Sequence, residues 1–227
     1  MKLLRRSTKY ILFSLVVFLP LAAFSGTKAP PSQKDKRSPA YEELKKGDQY
    51  FARGEISMAI VYYQKAIEKD PSLAMAHLQL ARAYGRQRKM KLYEEELKKA
   101  VQIDPKFSEA RYILASWYFT TGRGKEALDE VKELIRSDPK NEKYRLFRVM
   151  VCEATKEYQK AIEDLKYLLE IHPDKVQYLL SLGGIYRKAG LKEEARECFQ
   201  KVMKLAPKSF EAKMAQEMLQ KMEEGKK

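Results

Sequence analysis

Five prolines, Pro71, Pro105, Pro139, Pro173 and Pro207, recur at a fixed interval of 34 residues, with no insertion or deletion between them. A spacing held that strictly means one structural unit copied head to tail five times. A unit of this length cannot bury its own apolar face, so successive copies must stack. The expected product is an elongated, curved solenoid. Such a shape offers long surfaces to other macromolecules instead of enclosing small substrates. The prolines set the copies at residues 40–73, 74–107, 108–141, 142–175 and 176–209.

Alignment on the prolines shows what each column does. Twenty-four residues before the proline stand Gly47, Ala81, Ala115, Val149 and Gly183, and twenty-one before stand Tyr50, Tyr84, Tyr118, Cys152 and Tyr186. Twelve before stand Ala59, Tyr93, Ala127, Ala161 and Ala195; eight before stand Tyr63, Leu97, Val131, Leu165 and Phe199. Five before stand Ala66, Ala100, Leu134, Leu168 and Val202. Steps of 3 and 4 put residues on one face of an α-helix. The step of 9 crosses a turn between two helices, where Gly54, Gly122 and Gly190 fall. Small residues let the two helix backbones approach. The proline then stops the second helix, because the residue before it is driven out of the α region.

These columns resemble the tetratricopeptide repeat, a 34-residue helix-turn-helix unit. The first copy carries the likeness most plainly, in Tyr41-Glu42-Glu43-Leu44-Lys45-Lys46-Gly47-Asp48-Gln49-Tyr50 and in Ala59 through Tyr62-Tyr63-Gln64-Lys65-Ala66. The resemblance covers about 170 of the 227 residues. It implies an all-α fold, an α-solenoid of five such repeats. Two departures stand out. The aromatic that usually opens the first helix is replaced by Glu43, His77, Arg111, Arg145 and Leu179. The fourth copy is the most divergent, with Arg148, Val149 and Cys152 at positions usually apolar, small and aromatic, which reads either as a local kink or as drift. After Pro207, Ser209 is a candidate N-cap followed by Ala212, Ala215, Met218 and Leu219 at helical spacing. Residues 209–222 therefore read as a capping helix over the last apolar face, and 223–227 as a tail.

Ahead of the array, Met1–Lys9 carries four positive charges and Tyr10–Phe24 is a nearly continuous apolar run, with Ala23-Phe24-Ser25 as a small-residue cleavage site. Residues 1–25 thus have the layout of a secretory signal peptide, with a retained membrane anchor as the alternative. Both put the repeats outside the cytoplasm, and the expected location is periplasmic or secreted. Residues 26–39 hold three prolines and four basic side chains and read as a flexible linker. Of the formal charge of +14, the leader and linker carry half, so the array's excess is modest and mixed with Glu. The expectation is a solvated surface with a weak preference for acidic partners or anionic membrane.

Catalytic chemistry finds little support. His77 and His172 are the only histidines; His172 reads as a polar helix terminus, and nothing with ligand spacing accompanies His77. There is no glycine-rich phosphate loop, no zinc spacing and no nucleophile beside a base. Glu94-Glu95-Glu96 reads as a solvated run, Trp117 as core, and Cys152 and Cys198 as two unpaired, mostly buried thiols. No cofactor, metal or nucleic-acid partner is expected.

The resemblance also implies a binding face, since in this family the first helix of each pair lines the concave side, where extended peptides dock. The matching column 27 residues before the proline is Leu44, Leu78, Tyr112, Leu146 and Leu180. The column 23 before is Asp48, Arg82, Ser116, Met150 and Gly184, joined by Tyr41, Phe51, Met75 and Phe119. Arg82 and Arg86 stand near one end, and Arg187 and Lys188 at the other. The Lys, Arg and Asn clamp by which some members grip a C-terminal carboxylate is missing. An apolar groove suits an amphipathic helix or apolar segment of a partner protein; the alternative is that the leucine column only packs one first helix on the next. The expected function is a non-enzymatic, exported scaffold acting in envelope complex assembly. The alternative is a self-associating structural protein, a homodimer.

Overall fold

The computed structural model describes residues 38–224; the leader, the linker up to residue 37 and the last three residues of the tail lie outside the described residues. Eleven helices follow one another: α1 (Pro39–Ala52), α2 (Ile56–Lys69), α3 (Ala74–Arg86), α4 (Met90–Ile103), α5 (Ser108–Thr120), α6 (Gly124–Ser137), α7 (Glu142–Thr155), α8 (Tyr158–Ile171), α9 (Val176–Ala189), α10 (Lys192–Leu205) and α11 (Phe210–Glu224). They form five antiparallel pairs and a final single helix, and each pair stacks on the next. No helix among the described residues is long and apolar enough to cross a membrane.

Helix starts and stops follow local chemistry. Ser38 caps α1 by accepting the Tyr41 N–H at 3.2 Å, with Pro39 at the first helical position. The array therefore begins two residues earlier than expected, inside the stretch read as linker. Asn141 caps α7 through Lys143 and Tyr144, and Ser209 caps α11 through the Ala212 N–H at 3.0 Å. The turn inside each pair needs a left-handed residue. Gly54, Gly122 and Gly190 supply it at φ of 79°, 78° and 84°; the same column holds Arg88 at 58° and Lys156 at 63°. A side chain there costs roughly 1–2 kcal/mol relative to glycine.

The core columns are fully buried: Ala59, Ala127, Ala161 and Ala195 against Tyr63, Leu97, Val131, Leu165 and Phe199, with Ala66, Ala100, Leu134, Leu168 and Val202 below. Two columns trade volume across the helix pair. A Cβ at Gly47 would lie 2.5 Å from the Tyr63 ring, and one at Gly183 would lie 2.6 Å from the Phe199 ring. The copies with Ala81, Ala115 or Val149 instead pack Leu97, Val131 or Leu165 opposite. At interior packing density a ring therefore sits opposite a glycine, and a smaller aliphatic opposite a residue that carries a Cβ. At the far end, α11 buries Ala212, Ala215, Met218 and Met222 against α9 and α10, with Leu219 at its margin, and so covers the last apolar face.

The column that lost its aromatic has become ionic. His77 Nδ1 lies 2.6 Å from Glu96 Oε2, Arg111 donates to Glu130 at 2.5 Å, and Arg145 donates to Asp164 at 2.9 Å. Each pair joins the first helix of a copy to its second, nineteen residues on. Each basic side chain also reaches back to the repeat proline: Arg111 and Arg145 donate to the Pro105 and Pro139 carbonyls at 3.0 Å, and His77 Nε2 lies 3.4 Å from that of Pro71. In place of an apolar aromatic, three polar rungs tie two helices and the preceding turn together. The first copy uses Lys69–Glu43 instead, and the fifth stays apolar with Leu179.

This corrects two expectations. Glu94–Glu96 is not a solvated run, because Glu96 is buried under His77 and Lys99 and Glu94 is shared among Lys98, Arg123 and the Trp117 indole N–H. The fourth copy's divergence is a built feature as well. Arg148 adds Nε and Nη2 bonds of 2.6 and 2.8 Å to Asp164, which is wholly buried between two guanidinium groups. Arg145 also stacks on Tyr167, 3.7 Å from the ring centroid.

Candidate functional site

The odd-numbered helices carry the candidate face, and the structure divides it into three zones. Leu44 and Leu78 are buried in the core, at 2 % and 0 % exposure, so they cannot meet a partner. For these two the packing alternative holds. Burial leaves the remaining face to side chains one turn further out.

The second zone, in the first two copies, is polar and internally satisfied. Asp48 accepts from the Tyr63 hydroxyl at 2.9 Å and from Gln79 at 3.1 Å. Burial, reinforced by the Asp48 charge, raises the Tyr63 pKa and keeps that hydroxyl a donor. Arg82 bonds Gln79 at 3.0 Å and Glu109 of the next copy at 2.7 Å. Asp48, Gln79, Arg82 and Glu109 therefore lace α1, α3 and α5 together, and Arg86 remains exposed at the end of α3. Phe51 and Met75 are half-buried beside this lace.

The third zone, on α5 and α7, is aromatic. Tyr112, Ser116, Phe119, Leu146 and Met150 are all half-buried. Tyr112 packs 5.1 Å from Phe147 and 6.3 Å from Tyr144, and Phe119 meets Phe147 edge-on at 6.0 Å. Burial raises the Tyr112 pKa, so its hydroxyl is a neutral polar handle on an apolar patch. Ser116 donates to the Tyr112 carbonyl within α5. The rings rest on the buried Phe147 and Tyr144. Sequence spacing pointed to Tyr112, Phe119, Leu146 and Met150; it missed Phe147 and Tyr144, which fall in none of the aligned columns.

The described residues hold no cluster of His, Cys, Asp and Glu able to bind a metal ion. Both cysteines are free, and burial pushes each thiol up to about 11, which leaves them protonated and poorly nucleophilic. Trp117 is half-buried, edge-on to Tyr93 at 5.3 Å.

A tetratricopeptide repeat model matches residues 94–148 and 154–219, more than half of the chain, and two further models of the same repeat match 47–87 and 75–107. The chain belongs to the tetratricopeptide repeat family. The fold is generally a non-catalytic scaffold for protein–protein interaction. Among solved tetratricopeptide structures, a MamA protein is 27 % identical with a TM-score of 0.62, covering 74 % of this chain and 92 % of that one. YrrB, described as a TPR protein with an unusual peptide-binding site, is 18 % identical with a TM-score of 0.65, covering 81 % and 95 %. MamA 41-end from Desulfovibrio magneticus RS-1 is 17 % identical with a TM-score of 0.59, covering 75 % and 97 %. The last two show the fold alone. No curated protein sequence matches the chain.

Proposed function

We propose that this tetratricopeptide array is a non-enzymatic scaffold that captures an apolar or amphipathic protein segment on the α5–α7 face. The observation that carries the reading is the pair of half-buried rings, Tyr112 and Phe119, packed on the buried Phe147, with Leu146 and Met150 half-buried on the neighbouring helix α7. Rigid aromatic surface loses little entropy on binding and dominates interface energetics. YrrB, a protein of this fold with a peptide-binding site, supports the reading by likeness of architecture. The apolar leader with its basic start supports action outside the cytoplasm, in assembly of envelope complexes. Cross-linked pull-down from intact cells with the triple variant Tyr112→Ser, Leu146→Ser, Met150→Ser tests it. Loss of the captured protein with helicity retained is expected; retention of the same partner would sink the assignment. Leu78→Ser serves as the folding control, since that side chain only packs.

A second reading, self-association, is favoured by one observation. Phe210 opens the terminal helix 70 % exposed, beside Leu205 at 40 %. Light scattering at micromolar concentration distinguishes the two. A dimer dispersed by Phe210→Ser supports association through this end, and a monomer rejects it.

A further inference from the structure

The turn joining α3 to α4 carries a charge pattern that the protein-capture reading does not use. Residues 86–92 read Arg-Gln-Arg-Lys-Met-Lys-Leu. The neighbouring turn, at 53–58, is tied to it by a hydrogen bond from Gln87 to Ser57 at 3.3 Å. Across both segments stand five cations, Arg53, Arg86, Arg88, Lys89 and Lys91, against the single carboxylate Glu55. In the equivalent stretches of the last three copies, three of the six basic side chains are ion-paired: Arg123 to Glu94 and Glu126, Lys160 to Glu157, Lys188 to Glu153. Among the described residues none of Arg86, Arg88, Lys89 and Lys91 enters an ion pair, and Lys89 overhangs the Tyr84 ring at 6.0 Å. Arg88 is moreover held left-handed at φ 58°, where three of the five copies use glycine. The left-handed conformation belongs to the turn itself, and it sets the Arg88 side chain at the exposed turn tip.

Exposed apolar side chains border these cations. Met58 and Val61 on α2 are 40 % and 41 % exposed, and Met90 and Leu92 on α4 are 39 % and 37 %. Met58 and Leu92 occupy the same column of successive copies, so they repeat along one edge of the array. The N-cap of α4 has no side-chain hydrogen bond, which leaves first-turn N–H groups available to an anion.

We propose that this edge of the first two copies is a contact site for an anionic lipid surface. Unpaired cations are drawn to phosphate headgroups, while Met58, Met90 and Leu92 gain only if an apolar phase receives them. Cations with interleaved aliphatic side chains fit the headgroup–acyl boundary, where long basic stems lie along the interface. A nucleic acid would instead seek stacking rings, and the nearby Tyr93 and Trp117 are packed against each other.

Hydrogen exchange of the full 227-residue chain tests the site. Vesicles of phosphatidylcholine alone are compared with vesicles containing about one-third phosphatidylglycerol, a charge that attracts basic clusters. The site predicts that amides of 86–92 slow roughly tenfold on anionic vesicles only, and that about 0.5 M salt abolishes the slowing. The variant R86Q/R88Q/K89Q/K91Q should lose it, whereas K201Q/K204Q/K208Q/K213Q, carrying equal charge loss at the other end, should keep it. The salt response tests the site without any variant. No slowing on anionic vesicles, or equal loss in the second variant, overturns the proposal. So does slowing by soluble polyglutamate but not by vesicles, which would reassign the patch to an acidic protein segment.

Discussion

The fourth and fifth copies place different chemistry in the same three columns. In the fourth, Arg145 and Arg148 grip the buried carboxylate of Asp164; in the fifth, Leu179 and Leu182 are buried in the same places and Cys198 packs against them. Both copies build the same helix pair and stack on their neighbours alike. The fold therefore asks only that the seam be filled and its polar atoms satisfied. The two solutions differ in how they fail. An apolar seam loses one increment of packing when a side chain shrinks. An ionic seam loses much more, because removing one charge strands its partners away from water.

The largest expected effect follows directly. Asp164→Asn should destabilise the array by about 3–5 kcal/mol, since two largely buried guanidinium groups lose their counter-charge. Replacing all three residues with their fifth-copy equivalents, Arg145→Leu, Arg148→Leu and Asp164→Cys, should leave stability within about 1 kcal/mol of the parent or raise it. Urea denaturation followed by circular dichroism checks both. If the triple replacement is as damaging as the single one, the columns are not interchangeable and the comparison breaks.

The next effect belongs to the volume trade. Gly183→Val imports the fourth-copy residue into a site where even a Cβ would press on Phe199 at 2.6 Å. A loss of about 1–3 kcal/mol is expected from overpacking. Adding Phe199→Leu, the fourth-copy partner, should recover most of it in the same assay. Failure of that rescue would mean the spacing of this pair is set elsewhere.

The turn column predicts a smaller effect of opposite sign. Lys156 occupies the left-handed position that the fifth copy gives to Gly190. Lys156→Gly should stabilise by about 0.5–1 kcal/mol, the relief of side-chain strain less the added chain entropy of glycine. A raised thermal midpoint is the readout.

The smallest effect tests how the two copies are joined. The Glu142 carboxyl is held below the usual range by hydrogen bonds from His172 and Tyr178, the latter at 2.9 Å across the copy boundary. A lowered carboxyl stabilises the fold above its unfolded pKa, near 4.3, and that stability is lost as pH falls through the lower folded value. Glu142→Gln should therefore lower the neutral plateau of the stability–pH curve slightly, leave stability below the folded value nearly unchanged, and so flatten the acid side.

These comparisons also show how far the residue pattern reached by itself. Helix pairs, their turns, the core columns and the terminal cap were legible because each rests on short-range chemistry: a proline stop, a left-handed glycine, apolar positions at steps of 3 and 4. That Tyr112 and Phe119 lie on a first helix with their side chains half-open was legible for the same reason. The buried leucines of that face were not. Leu44, Leu78, Leu146 and Leu180 share one column, and only the lean of each helix on the next decides that the first two are sealed and the last two half-open. The polar rungs were equally hidden, since a basic and an acidic side chain nineteen residues apart carry no periodic signal.

What the chain's order of residues determined alone was the repeated hairpin and its stacking, because an amphipathic unit of fixed length has one economical way to bury its face. What only the tertiary structure decided was the partnering of polar groups: Glu96 under His77, Asp164 between two arginines, and Arg86, Arg88, Lys89 and Lys91 outside the ion pairs of the described residues. Charge pairing depends on distances of a few ångströms between separate helices, and those distances exist only once the copies have stacked.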